Sequence, residues 1–192
     1  MAYEDGAEGA IRRVQRALEA AGVPYMVTGS FASALHGAPR TTQDVDVVIA
    51  PTLGSLKKLL LQFPEEDYYV SQDAALQAYG SESFFNVVDH TSGWKIDFII
   101  RKSRPFSLEE FERRREAELL GTTLYVASAE DVVLSKLEWA KMTESDRQLN
   151  DVAGILRTQG EDLDLAYVGR WIAALALDAE WARARTIAGL TE

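Results

Sequence analysis

Two aspartates separated by one residue inside an apolar run constrain this chain more than any other feature. The run is Asp44-Val45-Asp46-Val47-Val48-Ile49. Its alternation predicts a β-strand, in which successive side chains point to opposite faces. Asp44 and Asp46 then share one face, about 7 Å apart along the strand, while Val45 and Val47 face a core. Because carboxylates held this close repel each other without a cation, and hard oxygen ligands suit Mg²⁺, the strand predicts a divalent metal site.

A glycine and a serine precede this strand at a position suited to phosphate binding. Residues 25–28 form a short apolar run that predicts a strand, and Gly29-Ser30 follows it. Gly29 lets the backbone come close to a ligand, and Ser30 can cap the short helix predicted for 31–35. The N–H groups at a helix start attract phosphate. Arg40 lies in the next turn, where it is either a phosphate ligand or a surface charge on a loop.

The combination of these motifs resembles the signature of the nucleotidyltransferase superfamily of the DNA polymerase β type. Gly29-Ser30 is followed by Asp44-Val45-Asp46 within an apolar strand, with positions 31–43 between them. The stretch from Arg40 to Asp46 is similar to minimal bacterial nucleotidyltransferases, including the toxins of type IV toxin-antitoxin systems. The resemblance implies an α/β (α+β) fold: a nucleotidyltransferase-like mixed β-sheet flanked by helices, with a C-terminal helical extension.

A third carboxylate lies in a later β-rich run. Residues 84–89 and 94–100 surround a short polar turn, which predicts a hairpin. Asp97 sits in the middle of the second run, where an aspartate is costly unless it is paired or bound to metal; a solvent-facing position is the alternative. The resemblance implies that Asp97 completes the metal site. Asp89, at the end of the first run, is a poorer candidate.

The last third of the chain is predicted to be helical, and one helix carries a lysine on its apolar side. Residues 128–131 are a helix-start signal, and Lys136 follows among buried positions. Lys136 either snorkels from a packed helix or contacts phosphate. Further helices are predicted for residues 107–119, 146–158 and 163–188. We expect a nucleotidyltransferase-like core over residues 1–127 and a helical region over residues 128–192 packed on it.

Composition narrows the classes of function. The chain has 30 acidic and 20 basic residues among 192, a net charge of -10, which disfavours a whole-surface grip on nucleic acid and hence a processive polymerase. The absence of cysteine excludes disulfides, thiolate zinc sites and cysteine nucleophiles. No apolar run is long enough to span a membrane, and residues 1–5 lack the layout of a signal peptide. We expect a cytoplasmic protein with no membrane partner.

Together these features predict a Mg²⁺-dependent nucleotidyltransferase, which moves a nucleoside monophosphate from a nucleoside triphosphate to an acceptor hydroxyl and releases pyrophosphate. By the resemblance, the catalytic residues that hold one or two Mg²⁺ ions are Asp44, Asp46 and Asp97. By the same resemblance, the nucleotide-binding residues are Gly29, Ser30, Arg40, Thr42 and Lys136. The acceptor is a tRNA, a protein or a small molecule; a toxin-like enzyme acting on tRNA, with a cognate antitoxin, is one specific case. The alternatives are a non-catalytic nucleotide-binding or regulatory protein on the same fold and a metal-dependent phosphodiesterase.

Overall fold

The computed structural model describes residues 6–190. Residues 1–5 of the predicted core and residues 191–192 of the predicted helical region lie outside the described residues. Within it the chain divides into two compact units. The first contains the described residues up to Thr28 together with Thr41–Val126, and the second contains Gly29–Arg40 and the described residues from Ala127 onward. Segment 29–40 therefore belongs to the same unit as the C-terminal helices, although it precedes the domain boundary predicted from the sequence.

The described strands all lie in the first unit, together with four helices, and the described elements of the second unit are helices. The strands are β1 (Tyr25–Val27), β2 (Asp44–Ile49), β3 (Tyr68–Val70), β4 (Phe84–Asp89), β5 (Lys95–Ile100), β6 (Arg115–Leu119) and β7 (Thr122–Val126). The helices are α1 (Ala7–Ala21), α2 (Gly29–Leu35), α3 (Leu53–Leu60), α4 (Gln72–Ser81), α5 (Pro105–Glu112), α6 (Ala129–Thr143), α7 (Asp146–Gln159), α8 (Leu165–Leu175) and α9 (Asp178–Ala188). A short 3₁₀-helix spans Gly160–Asp162.

The first unit is built on one mixed sheet, which in the described residues has seven strands in the order β3-β4-β5-β2-β1-β7-β6. Strand β2 runs parallel to β5 and antiparallel to β1, and β1 runs parallel to β7. The remaining neighbours are antiparallel. Alternate residues of β2 and β5 are buried, among them Val45, Val47 and Phe98, each 0% exposed. This alternation fixes the register, because a slip of one residue would bury the aspartates instead.

The predicted hairpin over residues 84–100 is present as β4 and β5, and Asp89 has a structural place in its turn. Its Oδ1 accepts hydrogen bonds from the N–H groups of Thr91 (2.8 Å) and Ser92 (3.0 Å), and its Oδ2 accepts one from Arg13 Nη2 (2.7 Å). Burial acts to raise the pKa of Asp89, but these hydrogen bonds and the Arg13 charge outweigh burial and lower that pKa below its usual value.

Two predicted helices differ from the structure. The prediction of a helix over 107–119 is wrong in its second half: α5 ends at Glu112, and Arg115–Leu119 pairs with β7 as an edge strand. The charged residues of that strand face solvent at the sheet edge. In sequence, such an exposed edge strand resembles the charged surface of a helix. The predicted helix over 163–188 is two helices, because Ala176 adopts a left-handed conformation (φ +54°) that ends α8.

The second unit is a bundle in which α6 packs against α7 and α8, and α7 packs against α9. Helix α6 begins as predicted, with the Ser128 side chain accepting a hydrogen bond from the N–H of Asp131. Asp131 is 0% exposed, and its carboxylate accepts hydrogen bonds from Ser128 and from the Tyr167 hydroxyl, which ties α8 to α6. Across residues 6–190, every helix falls short of the length and apolarity needed to cross a membrane.

Candidate active site

Three aspartates and a lysine occupy one face of two adjacent strands in the first unit. In the parallel pair β2 and β5, Asp46 lies opposite Asp97, and Asp44 lies opposite Lys95. Neighbouring strands lie about 4.8 Å apart, so Asp46 and Asp97 are close lateral neighbours. The strand alternation that buries Val45 on the other face directs these polar residues to the same side. We call Asp44, Asp46 and Asp97 the carboxylate cluster.

Lys95 places its ammonium group within this cluster. Its Nζ lies 2.9 Å from Asp97 Oδ2, as a hydrogen bond, and 3.7 Å from Asp44 Oδ1. The hydrogen bond to Asp97 raises the pKa of Lys95 against the opposing effect of burial, and the negative charges of Asp97, Asp44 and Asp46 raise it further. The lysine is therefore protonated at neutral pH and compensates part of the negative charge of the cluster.

The oxygen donors of the cluster suit a hard divalent cation. The Asp97 side chain is 16% exposed, and its Oδ1 is buried without a hydrogen bond from any residue of the described chain. A buried carboxylate oxygen without a partner is costly, and a metal ion would satisfy it. Among residues 6–190, no group of three or more acidic, histidine or cysteine side chains is arranged so that it could hold a metal ion by itself. Magnesium is commonly held by one or two carboxylates together with substrate phosphates and water, so these residues fit such a site.

Thr42 contacts the beginning of the strand that carries two of the aspartates. Its Oγ1 accepts a hydrogen bond from the N–H of Asp44 at 3.1 Å and lies 3.3 Å from the carbonyl oxygen of the same residue. The threonine thus fixes the backbone at the start of β2, beside the first carboxylate of the cluster. This contact gives Thr42 a structural role next to the nucleotide-binding role predicted for it.

In the second unit, glycine geometry determines where the turn after α2 lies. Gly29, at the start of α2, has φ +61°, a left-handed conformation that favours glycine. Gly37 has φ +116°, and a Cβ atom there would lie 2.2 Å from Thr158 Oγ1 on α7. At Gly154 of α7 a Cβ would lie 3.0 Å from the Cβ of Ala38. Both glycines therefore let the turn that leads to Arg40 lie directly against α7.

In the second unit, three residues predicted to bind nucleotide lie together around the carboxylate of Asp151, which was not predicted. Asp151 Oδ2 accepts a hydrogen bond from Lys136 Nζ at 2.6 Å and lies 3.3 Å from Arg40 Nε. Arg40 Nη2 donates a hydrogen bond to Ser30 Oγ. Lys136 Nζ also donates to Gln148 Oε1 at 3.0 Å. The Lys136 and Asp151 side chains are only 5% and 9% exposed, and we call Ser30, Arg40, Lys136 and Asp151 the Asp151 cluster.

The Asp151 cluster carries an uncompensated positive charge, since two cations share one carboxylate. The Arg40 side chain is 22% exposed, and its Nε and Nη1 are buried without a hydrogen bond to any described residue. A guanidinium with donors left over is suited to an anion of planar or tetrahedral geometry. The predicted residues Ser30, Arg40 and Lys136 are thus brought together within one unit, by a carboxylate that the sequence analysis did not single out.

Sequence reasoning missed two residues of these clusters. Lys95 had a local signal, because it lies two positions from Asp97 in a strand and so shares its face. Asp151 had no such signal, since its two partners lie on a turn and a helix distant in sequence. Only the packing of α6 and α7 reveals that pairing.

Comparison with known proteins shows similarity of the fold to solved structures. No protein-family model and no curated protein matches the chain. Solved structures do match it, and they are nucleotidyltransferases and nucleotidyltransferase-like proteins. The chain thus has the nucleotidyltransferase fold, and the predicted mixed sheet flanked by helices, with a C-terminal helical extension, is confirmed.

Three of these structures illustrate the similarity. ANT(2'')-Ia, solved in complex with adenylyl-2''-tobramycin, matches with a TM-score of 0.62 at 13% identity, over 91% of this chain and 98% of its own. The lincosamide antibiotic adenylyltransferase LnuA, lincomycin-bound, matches with a TM-score of 0.55 at 10% identity, over 78% and 96%. An antigenic nucleotidyltransferase-like protein from Paracoccidioides brasiliensis matches with a TM-score of 0.55 at 17% identity, over 90% of each chain. Identities this low establish a shared fold and nothing finer.

Proposed function

We propose that this protein is an enzyme that transfers a nucleoside monophosphate from a nucleoside triphosphate to an acceptor hydroxyl. The observation that carries the proposal is the register of β2 and β5, which sets Asp46 opposite Asp97 on one face of the sheet, with Asp44 beside them. The nucleotidyltransferase fold supports the same chemistry. In the reaction, the acceptor oxygen bonds to the α-phosphorus, the bond from that phosphorus to the bridging oxygen breaks, and pyrophosphate leaves.

In this proposal the carboxylate cluster is the magnesium site. When bound, Mg²⁺ neutralises the triphosphate and stabilises the charge of the in-line transition state. Asp44 and Asp46 of β2 and Asp97 of β5 would hold the ion. Asp97 also helps to take the proton of the acceptor hydroxyl as a general base.

The proposed nucleotide contacts come from the sequence segment that precedes β2 and from α6. Gly29 and Ser30 bind the phosphates, and the partly exposed Arg40 guanidinium contributes its positive charge to them. Thr42 contributes its hydroxyl near the start of β2. For Lys136, the buried bonds to Asp151 support a contribution through charge and through its hold on the Asp151 cluster, since direct contact requires that pair to open.

The acceptor is a finer part of the proposal. ANT(2'')-Ia and LnuA are antibiotic-modifying proteins, and a small-molecule hydroxyl is the acceptor that the net charge of -10 favours over a long nucleic acid. A tRNA end, with a toxin role and an antitoxin partner, is the second candidate; its support is the similarity of residues 40–46 to minimal nucleotidyltransferases.

The test offers the protein each α-³²P-labelled triphosphate with Mg²⁺ and three acceptor pools: aminoglycosides and lincosamides, total tRNA, and a protein extract. We expect label to appear in one pool and pyrophosphate to be released with it. Nucleotide binding without pyrophosphate release would favour a regulatory protein on this fold. Cleavage of nucleic acid in Mg²⁺ without added triphosphate would favour a phosphodiesterase.

A further inference from the structure

We infer that Lys95 is an internal counter-ion of the carboxylate cluster, which holds the aspartates together without a metal and yields its place to a divalent cation. The inference starts from position: Lys95 Nζ lies between strands, 2.9 Å from Asp97 Oδ2 and 3.7 Å from Asp44 Oδ1. Asp97 and Asp44 are two of the three carboxylates to which the proposed function assigns the metal. One ammonium and one metal ion therefore compete for the same acidic groups.

The charges explain why such a counter-ion is needed. Three carboxylates share one face of β2 and β5, and like charges at this spacing oppose one another. The ammonium is the cation that the described structure sets against Asp44 and Asp97. It compensates part of the negative charge of Asp44 and Asp97 and leaves Asp97 Oδ1 without a hydrogen bond from a described residue. The compensation is partial, so a divalent ion gains more from the cluster than the lysine does.

The chemistry of lysine makes the exchange feasible. The Lys95 side chain is 37% exposed, and its ammonium ends a flexible four-carbon stem. It can swing into solvent without disturbing the buried residues of β5. An arginine or a buried lysine could not leave so readily, because more hydrogen bonds or more packing would hold it. Lys95 is therefore a positioning residue, which keeps the aspartates arranged and lowers the affinity for metal.

Metal binding in the absence of nucleotide tests the inference apart from activity. Lys95→Met keeps the stem and removes the charge, Lys95→Arg keeps a charge, and Lys58→Met changes an exposed lysine of α3 as the matched control. In EDTA we expect Lys95→Met to melt about 1–4 °C below the unaltered protein. Its affinity for Mn²⁺, measured by calorimetry and electron paramagnetic resonance, should rise about threefold to tenfold. Lys95→Arg should bind Mn²⁺ more weakly than the unaltered protein, because a guanidinium makes more hydrogen bonds to the carboxylates, and Lys58→Met should bind Mn²⁺ about as the unaltered protein does.

This inference rests on the proposed function, because that function supplies the identity of the ion that replaces Lys95. The outcomes of the experiment nevertheless distinguish a failure of the inference from a failure of the proposed function. Equal or weaker Mn²⁺ binding by Lys95→Met overturns the counter-ion role and leaves the proposed metal site intact. If neither protein binds Mn²⁺ with or without ATP, while Lys95→Met is still less stable in EDTA, Lys95 holds the aspartates together, but its exchange with a metal ion is overturned and the proposed metal-dependent function fails. An unchanged melting temperature in EDTA contradicts the inference in either case.

Discussion

Asp151→Asn removes the one negative charge around which Arg40 and Lys136 are arranged. The Asp151 carboxylate accepts a hydrogen bond from Lys136 Nζ at 2.6 Å and lies 3.3 Å from Arg40 Nε. The Lys136 side chain is 5% exposed, so its ammonium would stay buried, and among the described residues its partners would be the new amide and Gln148. Loss of one member of a buried ion pair is costly because it leaves an uncompensated charge away from water.

The expected loss of stability is large. Breaking a buried pair from one side costs about 3–5 kcal/mol. For a chain of 150–250 residues each kcal/mol lowers the melting temperature by about 2–4 °C, so the variant should melt roughly 6–20 °C below the unaltered protein. Lys136→Met should cost less, because Arg40 still compensates Asp151. The double variant Asp151→Asn, Lys136→Met should recover part of the loss, since no unpaired ammonium remains.

Thermal unfolding followed by circular dichroism measures these differences, with Glu161→Gln as a control at an exposed acidic position of the same unit. The control should stay within about 0.5 kcal/mol of the unaltered protein. A drop of less than about 3 °C for Asp151→Asn would show that the carboxylate does not hold these cations in solution. Failure of the double variant to recover stability would show that the lysine charge is not the cause.

Two further predictions concern the stability of each unit. Gly37→Ala forces a Cβ to 2.2 Å from Thr158 Oγ1 at a φ of +116°, and it should lower the free energy of unfolding in a urea titration by about 2–6 kcal/mol. Gly80→Ala in α4 is the control; outside the neighbouring helix backbone, no atom of the described chain lies within 4 Å of its Cβ, so it should be neutral or slightly stabilising. Equal effects of the two changes would refute the close packing at Gly37. The pKa of Asp89 is lowered in the folded protein, so its contribution to stability is fully present above the usual value of 3.8 and is lost as the pH falls through the lowered pKa of the folded state. Asp89→Asn should therefore lose more stability at pH 7 than at pH 3, and an equal loss at both pH values would contradict the stated direction of the shift.

How far the sequence leads is clearest in β2 and β5. Strand alternation alone assigns Asp44 and Asp46 to one face, and the same rule applies to Lys95 and Asp97. Hydrophobic periodicity does not predict which strands pair, so it does not place β2 beside β5. The expectation that these two strands are neighbours rests on the resemblance to the nucleotidyltransferase superfamily. The structure bears out the adjacency through the pairing of Asp46 with Asp97.

The failures have a different physical origin. Residues 115–119 were expected to be helical because acidic and basic residues follow a helix-start signal, but pairing with β7 decides the outcome, and the turn at Leu120 and Gly121 (φ +50° and +71°) makes that pairing possible. Local propensity is weaker than a tertiary hydrogen-bonded ladder. The same holds for Asp151, whose role depends on two partners that only the folded unit brings near.

The most direct measurement is the rate of pyrophosphate release from a triphosphate in the presence of Mg²⁺ and the acceptor that takes up label. Asp46→Asn and Asp97→Asn remove charges that face each other across β2 and β5, and Glu66→Gln changes an exposed acid of the same unit as control. We predict that each asparagine variant keeps its circular dichroism spectrum and loses at least about 100-fold in rate, while Glu66→Gln keeps the full rate. Pyrophosphate release by Asp46→Asn or Asp97→Asn within a few-fold of the unaltered protein would contradict the assignment of the site.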